Sequence, residues 1–424
     1  GFAHLGHTVC ATDLDPEVVR RLQQGILPVY EPGLSELIAR QRGEGRLTFT
    51  GSCAEAFGGA EFIFLTLDTP VDDNDESDLT PVVSTFDAIS EHAPTEAQIV
   101  VMSQVPVRTC QQLTARLRRR APQLALSVVH HPENLRLGQA LRAFLEPDFL
   151  LVGAEEEAAA DRLLDLYASV SAPRLKMSTH SAELAKHALN AFLATSISFA
   201  NELASLAEAC HADVRDLVRV LRHDRRIGPH AFLRPGPGFS GGTLGRDIQT
   251  LRHLGEQAGR KTSLLDAALA VNRERLPQIV EAVRQACGGL RGKRVGLLGL
   301  TYKPGTNTPR RSHGVALARH LLEAGAEVRA HDPQCRELVV ELRGLAVCHD
   351  AYQAAESADA LVIVTPWPEF KTLDWGRLHQ AMRQPVLIDA HNCLDDRLAR
   401  AGWRYRGIGI PESRGPAVPT GASS

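Results

Sequence analysis

The sequence predicts an α/β chain in which two doubly wound sheets flank a helical middle. Three observations carry this. Short apolar runs alternate with helical spacing through the first 175 residues or so. One long run with few breakers, STHSAELAKHALNAFLATSISFANELASLAEACHA (178–212), then interrupts the alternation. From residue 294 onward the strand–helix alternation returns.

The elements follow in order. The chain opens with GFAHLGHTVCATDLD, which reads as a helix end and then the strand HTVCATD (7–13), ending on an acid. PEVVRRLQQG (16–25) has helical spacing and a glycine stop. AEFIFLTL (60–67) is almost wholly apolar, as buried parallel strands are. QIVVMSQ (98–104), LALSVVH (124–130) and DFLLVGA (148–154) continue the series, with helical stretches between them such as RTCQQLTARLRRR (108–120). Helices continue to about residue 287. Then come the strands RVGLLGL (294–300), AEVRAHD (326–332), ALVIVT (360–365) and PVLIDA (385–390), with the helix HGVALARHLLEAG (313–325) among them. The tail PESRGPAVPTGASS (411–424) is rich in Pro, Gly and Ser and is predicted to be disordered.

Composition bounds the function. The 424 residues suffice for two or three domains, and the net charge of −3 offers no basic face to nucleic acid. No apolar run reaches the roughly 18 to 20 residues that span a bilayer. The eight cysteines form no C-x-x-C pair, so neither a metal site nor a disulfide framework is indicated, and a reduced cytoplasmic compartment is expected.

Single motifs leave alternatives open. Asp13 ends a strand, where a dinucleotide fold places the acid that binds ribose hydroxyls; it reads equally as a helix N-cap beside Pro16. The glycine-rich turn that would accompany the ribose role is absent from the sequence and is expected upstream of residue 1. GLLGLTYKPG (296–305) lacks dinucleotide spacing. Lys303 and Arg310, just past the strand before it, could meet phosphates or simply face solvent. Lys186 and Asn190 are four apart, on one helix face. Among Ala185, Leu189 and Phe192, Lys186 is either a snorkelling side chain or a buried amine in a cleft. Glu133, after Pro132, is either a helix N-terminal acid or a carboxylate at the sheet's carboxyl edge. GFSGGTLGRD (238–247) gathers four glycines around Thr243, so its backbone can approach a ligand closely.

Order and spacing decide more than any one motif. VYEPGL (29–34), LTLDTPVDDNDESDL (65–79), SQVPVR (103–108), HPENLRLG (131–138), ELAKHALNAFLA (183–194), DRRIGPHAFLRPGPGFSGGTLGRD (224–247) and YKPGTNTPRRS (302–312) follow one another in an order that resembles the UDP-glucose/GDP-mannose dehydrogenase family. The resemblance covers roughly residues 1 to 400. It implies two Rossmann-like doubly wound domains joined by a long central helix and a helical dimerisation domain. The implied domains are an NAD-binding domain (1–175), a central helical domain (176–288) and a C-terminal UDP-binding domain (289–410), followed by the tail (411–424). It implies NAD as cofactor, a nucleotide sugar of the UDP-glucose or GDP-mannose type as substrate, and a homodimer or higher homo-oligomer, with no nucleic acid or membrane partner. Family members oxidise the sugar C6 alcohol to a carboxylate through an aldehyde, a cysteine thiohemiacetal and a thioester. By position, Glu133 matches a carboxylate for thioester hydrolysis, Lys186 an oxyanion-stabilising amine, Asn190 its polar neighbour and Asp247 an acid that helps hold a catalytic water. Leu135, Phe232, Gly238 and Lys303 match substrate positions, and Arg226 an arginine reaching a neighbouring subunit's substrate. Asp13, Thr69, Pro70, Ser103 and Arg310 match positions around NAD.

The departures from the family pattern are concentrated. Thr243 stands where the family has its nucleophilic cysteine. A thiol is tunable to a thiolate, whereas a threonine hydroxyl needs a placed general base, and the loop holds no histidine. Gln104 replaces a threonine, Leu137 a second carboxylate, Asn134 an aromatic, Asp68 a glycine, Asn307 and Thr308 acids, and His391 an arginine. Three readings stay open: a dehydrogenase with an impaired or altered second oxidation, a non-catalytic nucleotide-sugar-binding or regulatory homologue, and a product without selected activity.

Overall fold

A computed structural model describes residues 1–70, 77–335, 342–394, 398 and 401–411. The acidic stretch 71–76 and the tail from 412 lie outside the described residues. The chain divides into two units, Gly1–Leu189 and Asn190–Ser424.

In the first unit the strands are β1 (Val9–Ala11), β2 (Leu47–Phe49), β3 (Phe62–Leu65), β4 (Gln98–Val101), β5 (Ser127–His130), β6 (Leu150–Gly153) and β7 (Arg174–Met177). The helices are α1 (Pro16–Gln23), α2 (Leu34–Gly43), α3 (Cys53–Phe57), α4 (Thr80–His92), α5 (Thr109–Arg120), α6 (Ala140–Leu145), α7 (Glu157–Asp165) and the first turns of α8 (Thr179–Ala209). β1 and β2 form a parallel pair, and the other five strands form one sheet in the order β3-β4-β5-β6-β7. Alternate residues of each strand face opposite layers. Ile63, Leu65, Ile99, Val101 and Val128 pack with Val82, Phe86 and Ile89 of α4 and Cys110, Leu113 and Leu117 of α5. Phe62, Phe64, Val100, Val129, Leu150 and Val152 face Leu163 and Leu164 of α7, with Phe2 and Tyr167. Burying Leu163 and Leu164 contributes about 1.5–3 kcal/mol each.

One expectation changes here. β3, β4 and β5 are parallel, but β6 meets β5 antiparallel, at His130 and Gly153. A parallel return requires a crossover helix packed over the sheet. Residues 131–149 hold only the six-residue α6, so the chain turns back instead.

The second unit takes the rest of α8, then α9 (Val214–His223), α10 (Leu244–Gln257) and α11 (Ser263–Cys287). Its strands are β8 (Arg294–Leu298), β9 (Glu327–His331), β10 (Leu345–Val347), β11 (Ala360–Ile363), β12 (Val386–Asp389) and β13 (Arg404–Gly407), with helices α12 (His313–Glu323), α13 (Ala351–Ala355) and α14 (Trp375–Ala381). All six strands are parallel, in the order β10-β9-β8-β11-β12-β13. This order reverses between β8 and β11, the kind of switch point at whose carboxyl edge open α/β sheets bind ligands. Val295, Leu297, Val362 and Ile388 face α11 and α12, whereas Leu361, Ile363 and Leu387 face α13 and α14. Among the described residues no helix is long and apolar enough to cross a membrane.

His130, at the carboxyl end of β5, is 1 % exposed. Burial holds its imidazole neutral, with the pKa lowered from 6.5 to about 3. The unfolded chain therefore binds a proton that the folded chain refuses, and stability falls as pH drops through that window. Between about pH 6.5 and 5.5 we expect this residue to contribute a loss of about 1 kcal/mol. Urea denaturation across that range should show a shallower pH slope for His130→Gln than for the wild type, by about one proton.

Candidate active site

Two clusters hold the candidate catalytic residues, one in each unit. In the first, the chain leaves β5 and runs without helix or strand through residues 131–139. His131 anchors the start: its amide donates to Val101 O (2.9 Å), and its ring joins Leu151 O and the Tyr167 hydroxyl at 2.7 and 2.8 Å. The next helix, α6, begins only at Ala140, so Glu133 is a sheet-edge carboxylate rather than a helix N-terminal acid. Its carboxylate accepts from Leu135 N at 2.5 Å, fixing a local turn.

The first turns of α8 grip this edge. Lys186 is 7 % exposed, and its Nζ donates to Glu133 O at 2.5 Å and to Asn134 Oδ1 at 3.2 Å. The amine therefore turns inward; it does not snorkel. Glu183, 1 % exposed, accepts from Arg108 N (2.6 Å) and Cys110 N (2.8 Å) at the start of α5. The His187 ring reaches Val105 O at 2.9 Å. Glu183, Lys186 and His187 thus hold the loops that follow β4 and β5.

The second cluster is the glycine-rich loop ahead of α10. Asn272 holds Phe239 on both sides, its Oδ1 accepting from Phe239 N (2.7 Å) and its Nδ2 donating to Phe239 O (3.0 Å). Gly236 N donates to Asn201 Oδ1 (2.8 Å), and Arg275 Nε donates to Gly236 O (3.1 Å). Burial pushes the Arg275 guanidinium down from its usual pKa. Gly241 has φ +79°, and a Cβ there would come within 2.6 Å of the Tyr302 ring, so only glycine fits. Gly238, at φ +98°, would likewise strike Asn272 Oδ1 at 2.3 Å. The loop ends at Thr243, the N-cap residue of α10, whose side chain makes no capping bond. Thr243 is exposed, and among the described residues its hydroxyl has no hydrogen-bond partner. Asp247, in the first turn of α10, is fully buried and accepts from Asn190 Nδ2 at 2.5 Å.

The other predicted positions divide between open and buried. Leu135 and Phe232 are exposed, and Arg226 is exposed and paired with its neighbour Asp224 at 2.7 Å, which raises the guanidinium pKa. Lys303 is half-buried in the loop after β8, at the switch point, while Arg310 is exposed further along. Leu137 is exposed.

The positions expected around NAD lie at the carboxyl sides of their strands, which fits a dinucleotide. Asp13 is exposed two residues beyond β1, with Oδ1 accepting from Asp15 N at 2.9 Å. Pro70 is exposed. Thr69 and Ser103 are buried, and their hydroxyls tie the loops after β3 and β4 together through Gln104 O (2.8 Å) and Leu65 O (3.2 Å).

Sequence reasoning gave no role to Glu31, Glu183, Asn272, Arg275, Tyr302 or Asp332. Asp332, 1 % exposed at the end of β9, accepts from Leu300 N (2.7 Å), Thr301 N (2.8 Å), Thr301 Oγ1 (2.8 Å) and Trp367 Nε1 (3.1 Å). It fixes the loop that leads to Lys303. The tract AHDP, an acid after an apolar strand, is its only local signal.

Residues 1–171, 180–274 and 296–396 match the NAD binding, central and UDP binding domains of the UDP-glucose/GDP-mannose dehydrogenase family. The chain is 36 % identical over 428 residues to a UDP-glucose 6-dehydrogenase of Pseudomonas aeruginosa, covering 97 % of this chain and 94 % of that one. It is 33 % identical over 418 residues to UDP-glucose 6-dehydrogenase TuaD of Bacillus subtilis, covering 98 % and 90 %. Among solved structures, a UDP-glucose dehydrogenase from Pyrobaculum islandicum superposes with a TM-score of 0.88 at 35 % identity, covering 96 % of this chain and 94 % of that one. A UDP-D-ManNAc dehydrogenase from Pyrococcus horikoshii shares the fold, with a TM-score of 0.85 at 24 % identity and 96 % and 95 % coverage. The chain is therefore a member of the UDP-glucose/GDP-mannose dehydrogenase family, an oxidoreductase family that uses NAD.

Proposed function

We propose that the protein oxidises the C6 alcohol of a UDP-glucose-type nucleotide sugar toward the uronate, with an impaired second oxidation because no covalent intermediate forms on the glycine-rich loop. The observation that carries this reading is the contrast between the two clusters. Lys186 turns inward and Asn190 bonds Asp247, while Thr243 offers a hydroxyl that has no hydrogen-bond partner among the described residues. Bound NAD supplies a hydride acceptor.

In this reading Lys186 stabilises the sugar oxygen as it loses its proton. Asn190, about three turns into α8, and Asp247, in the first turn of α10, hold polar atoms for a water. The aldehyde leaves as the main product; the slow second oxidation goes through its hydrate, which Lys186 meets as it met the alcohol. Glu133, at the sheet edge, accepts the proton from the attacking water. An alkoxide on Thr243 would require a placed general base, and the loop 238–247 holds no histidine. The domain limits 1–175, 176–288 and 289–410 and the site assignments follow from the same reading.

A second reading, a nucleotide-sugar-binding homologue without turnover, is favoured by the departures at Thr243, Leu137 and Gln104 taken together. With UDP-glucose limiting and NAD in excess, we expect one NADH per sugar and an aldehyde trapped by a hydrazine; Thr243→Cys should raise the yield toward two. Two NADH per sugar from the wild type would overturn the proposed limit on the second oxidation. Absence of NADH alongside tight binding of UDP-glucose by calorimetry would select the binding reading. GDP-mannose, run in parallel, tests the choice of nucleotide.

We also propose a homodimer through α8. Phe192, Phe199 and Leu206 repeat every seven residues and are 69, 48 and 56 % exposed. An apolar stripe at this spacing is a helix-packing seam. Phe199→Glu should convert a dimer to a monomer in analytical ultracentrifugation while leaving the far-ultraviolet circular dichroism spectrum unchanged; a monomeric wild type would rule the seam out.

A further inference from the structure

The motif VYEPGL was part of the family resemblance, yet the mechanism uses none of it. Its backbone explains its composition. Leu34 N donates to Glu31 O at 3.1 Å, closing a four-residue turn. Gly33 sits at φ 77° and ψ −4°, and Pro32 precedes it. Proline then a left-handed glycine is the sequence of a type II turn. The turn presents Glu31, which is 7 % exposed. A carboxylate so buried needs strong compensation. It finds it more than a hundred residues away, accepting from Gly138 N and from Ala140 N, both at 2.7 Å.

Those two donors end the segment that carries Glu133. Residues 131–139 have no ladder of their own, so their backbone groups must find partners elsewhere. The near end is tied to β4 and β6 through His131. The middle is tied to α8 through Lys186 Nζ on Glu133 O. At the far end Arg136 makes an exposed ion pair with Asp148 (2.6 Å), and among the described side chains Glu31 is the buried one that takes the backbone donors there. Without it, two amides lose charge-assisted bonds, and beyond the lysine the segment keeps only a solvent-exposed ion pair, which holds little.

We infer that Glu31 is a positioning residue for the candidate catalytic edge: by clamping Gly138 and Ala140 it fixes the loop whose Glu133 carbonyl orients the Lys186 amine. The inference rests on the proposed function for its kinetic consequence but not for its structural one. Glutamine is no substitute at this site, because one end of an amide is itself a donor and faces one of the two N–H groups.

The test uses the full chain with Glu31→Gln and, as a milder perturbation that keeps the carboxylate, Gly33→Ala, which strains the turn. Hydrogen exchange of peptides covering 131–145 should be about tenfold faster or more in Glu31→Gln, with peptides from the second unit unchanged. Acetic anhydride should label Lys186 several-fold faster than in the wild type, measured against Lys293 as the internal standard. For turnover with UDP-glucose and NAD, kcat should fall about tenfold or more while the KM for UDP-glucose moves less than about threefold, because a misplaced amine costs the transition state more than binding. Gly33→Ala should move all three readouts in the same direction by less. Wild-type exchange and wild-type Lys186 labelling in a folded Glu31→Gln variant would overturn the inference, as would equal changes in kcat and KM. If Glu31→Gln does not fold, unchanged exchange and labelling in Gly33→Ala would overturn it equally. A wild type that makes no NADH but loses Lys186 protection in Glu31→Gln would refute the proposed function and leave the positioning role standing.

Discussion

Buried carboxylates bonded to backbone N–H groups are the constraint on which the functional edges of this protein depend. A parallel sheet satisfies the donors within its strands but leaves those of the loops beyond their carboxyl ends without a ladder. Here four side chains complete the accounting. Glu183 takes the donors after β4, Glu31 those after β5, Asp332 those after β8, and Asp389, fully buried, those of His391 and Leu394 after β12. Each such bond is charge-assisted, and an orphaned buried donor costs about 1–3 kcal/mol, so these loops are held to one shape.

The same device explains why the two sheets, similar in their winding, differ in use. In each unit an acid follows an early parallel strand, β1 of the two-stranded pair in the first and β9 in the second. Asp13 is exposed beyond β1 and able to accept from a ribose. Asp332, beyond β9, is consumed by Leu300, Thr301 and Trp367. Its carboxylate shapes the loop that carries Lys303 instead of meeting a ribose. Topology places the acid, and burial decides whether it faces ligand or loop.

These distinctions set what the sequence discloses. The central strands β4, β8, β11 and β12 announce themselves because both faces are buried and their residues are almost all apolar. The strands β2, β7, β10 and β13 lie at sheet edges or in the two-stranded pair, expose one or more of their few residues, and read as loop. The pairing of Lys186 with Asn190 by helical spacing was legible, whereas the direction of the amine was not, since an apolar neighbourhood suits a snorkelling and an inward lysine alike. Glu31 stood in a quoted motif, but its partners are 107 and 109 residues further on, a separation no local pattern encodes.

Position 243 closes the argument because stability and chemistry separate there. Gly238 and Gly241 are fixed by left-handed backbone and by the atoms a side chain would strike, so the loop cannot change at those points without moving. Thr243 makes no capping bond, has no recorded hydrogen-bond partner and is exposed. Nothing in the packing asks for threonine, and nothing would resist a thiol of similar size. The loop is therefore a rigid frame around one replaceable side chain. A substitution at this position changes the group that the loop offers while the frame, built by Asn201, Asn272, Arg275 and Tyr302, keeps its own bonds and contacts. Under the proposed function, a difference in turnover between threonine and cysteine here reports on that group and not on the fold.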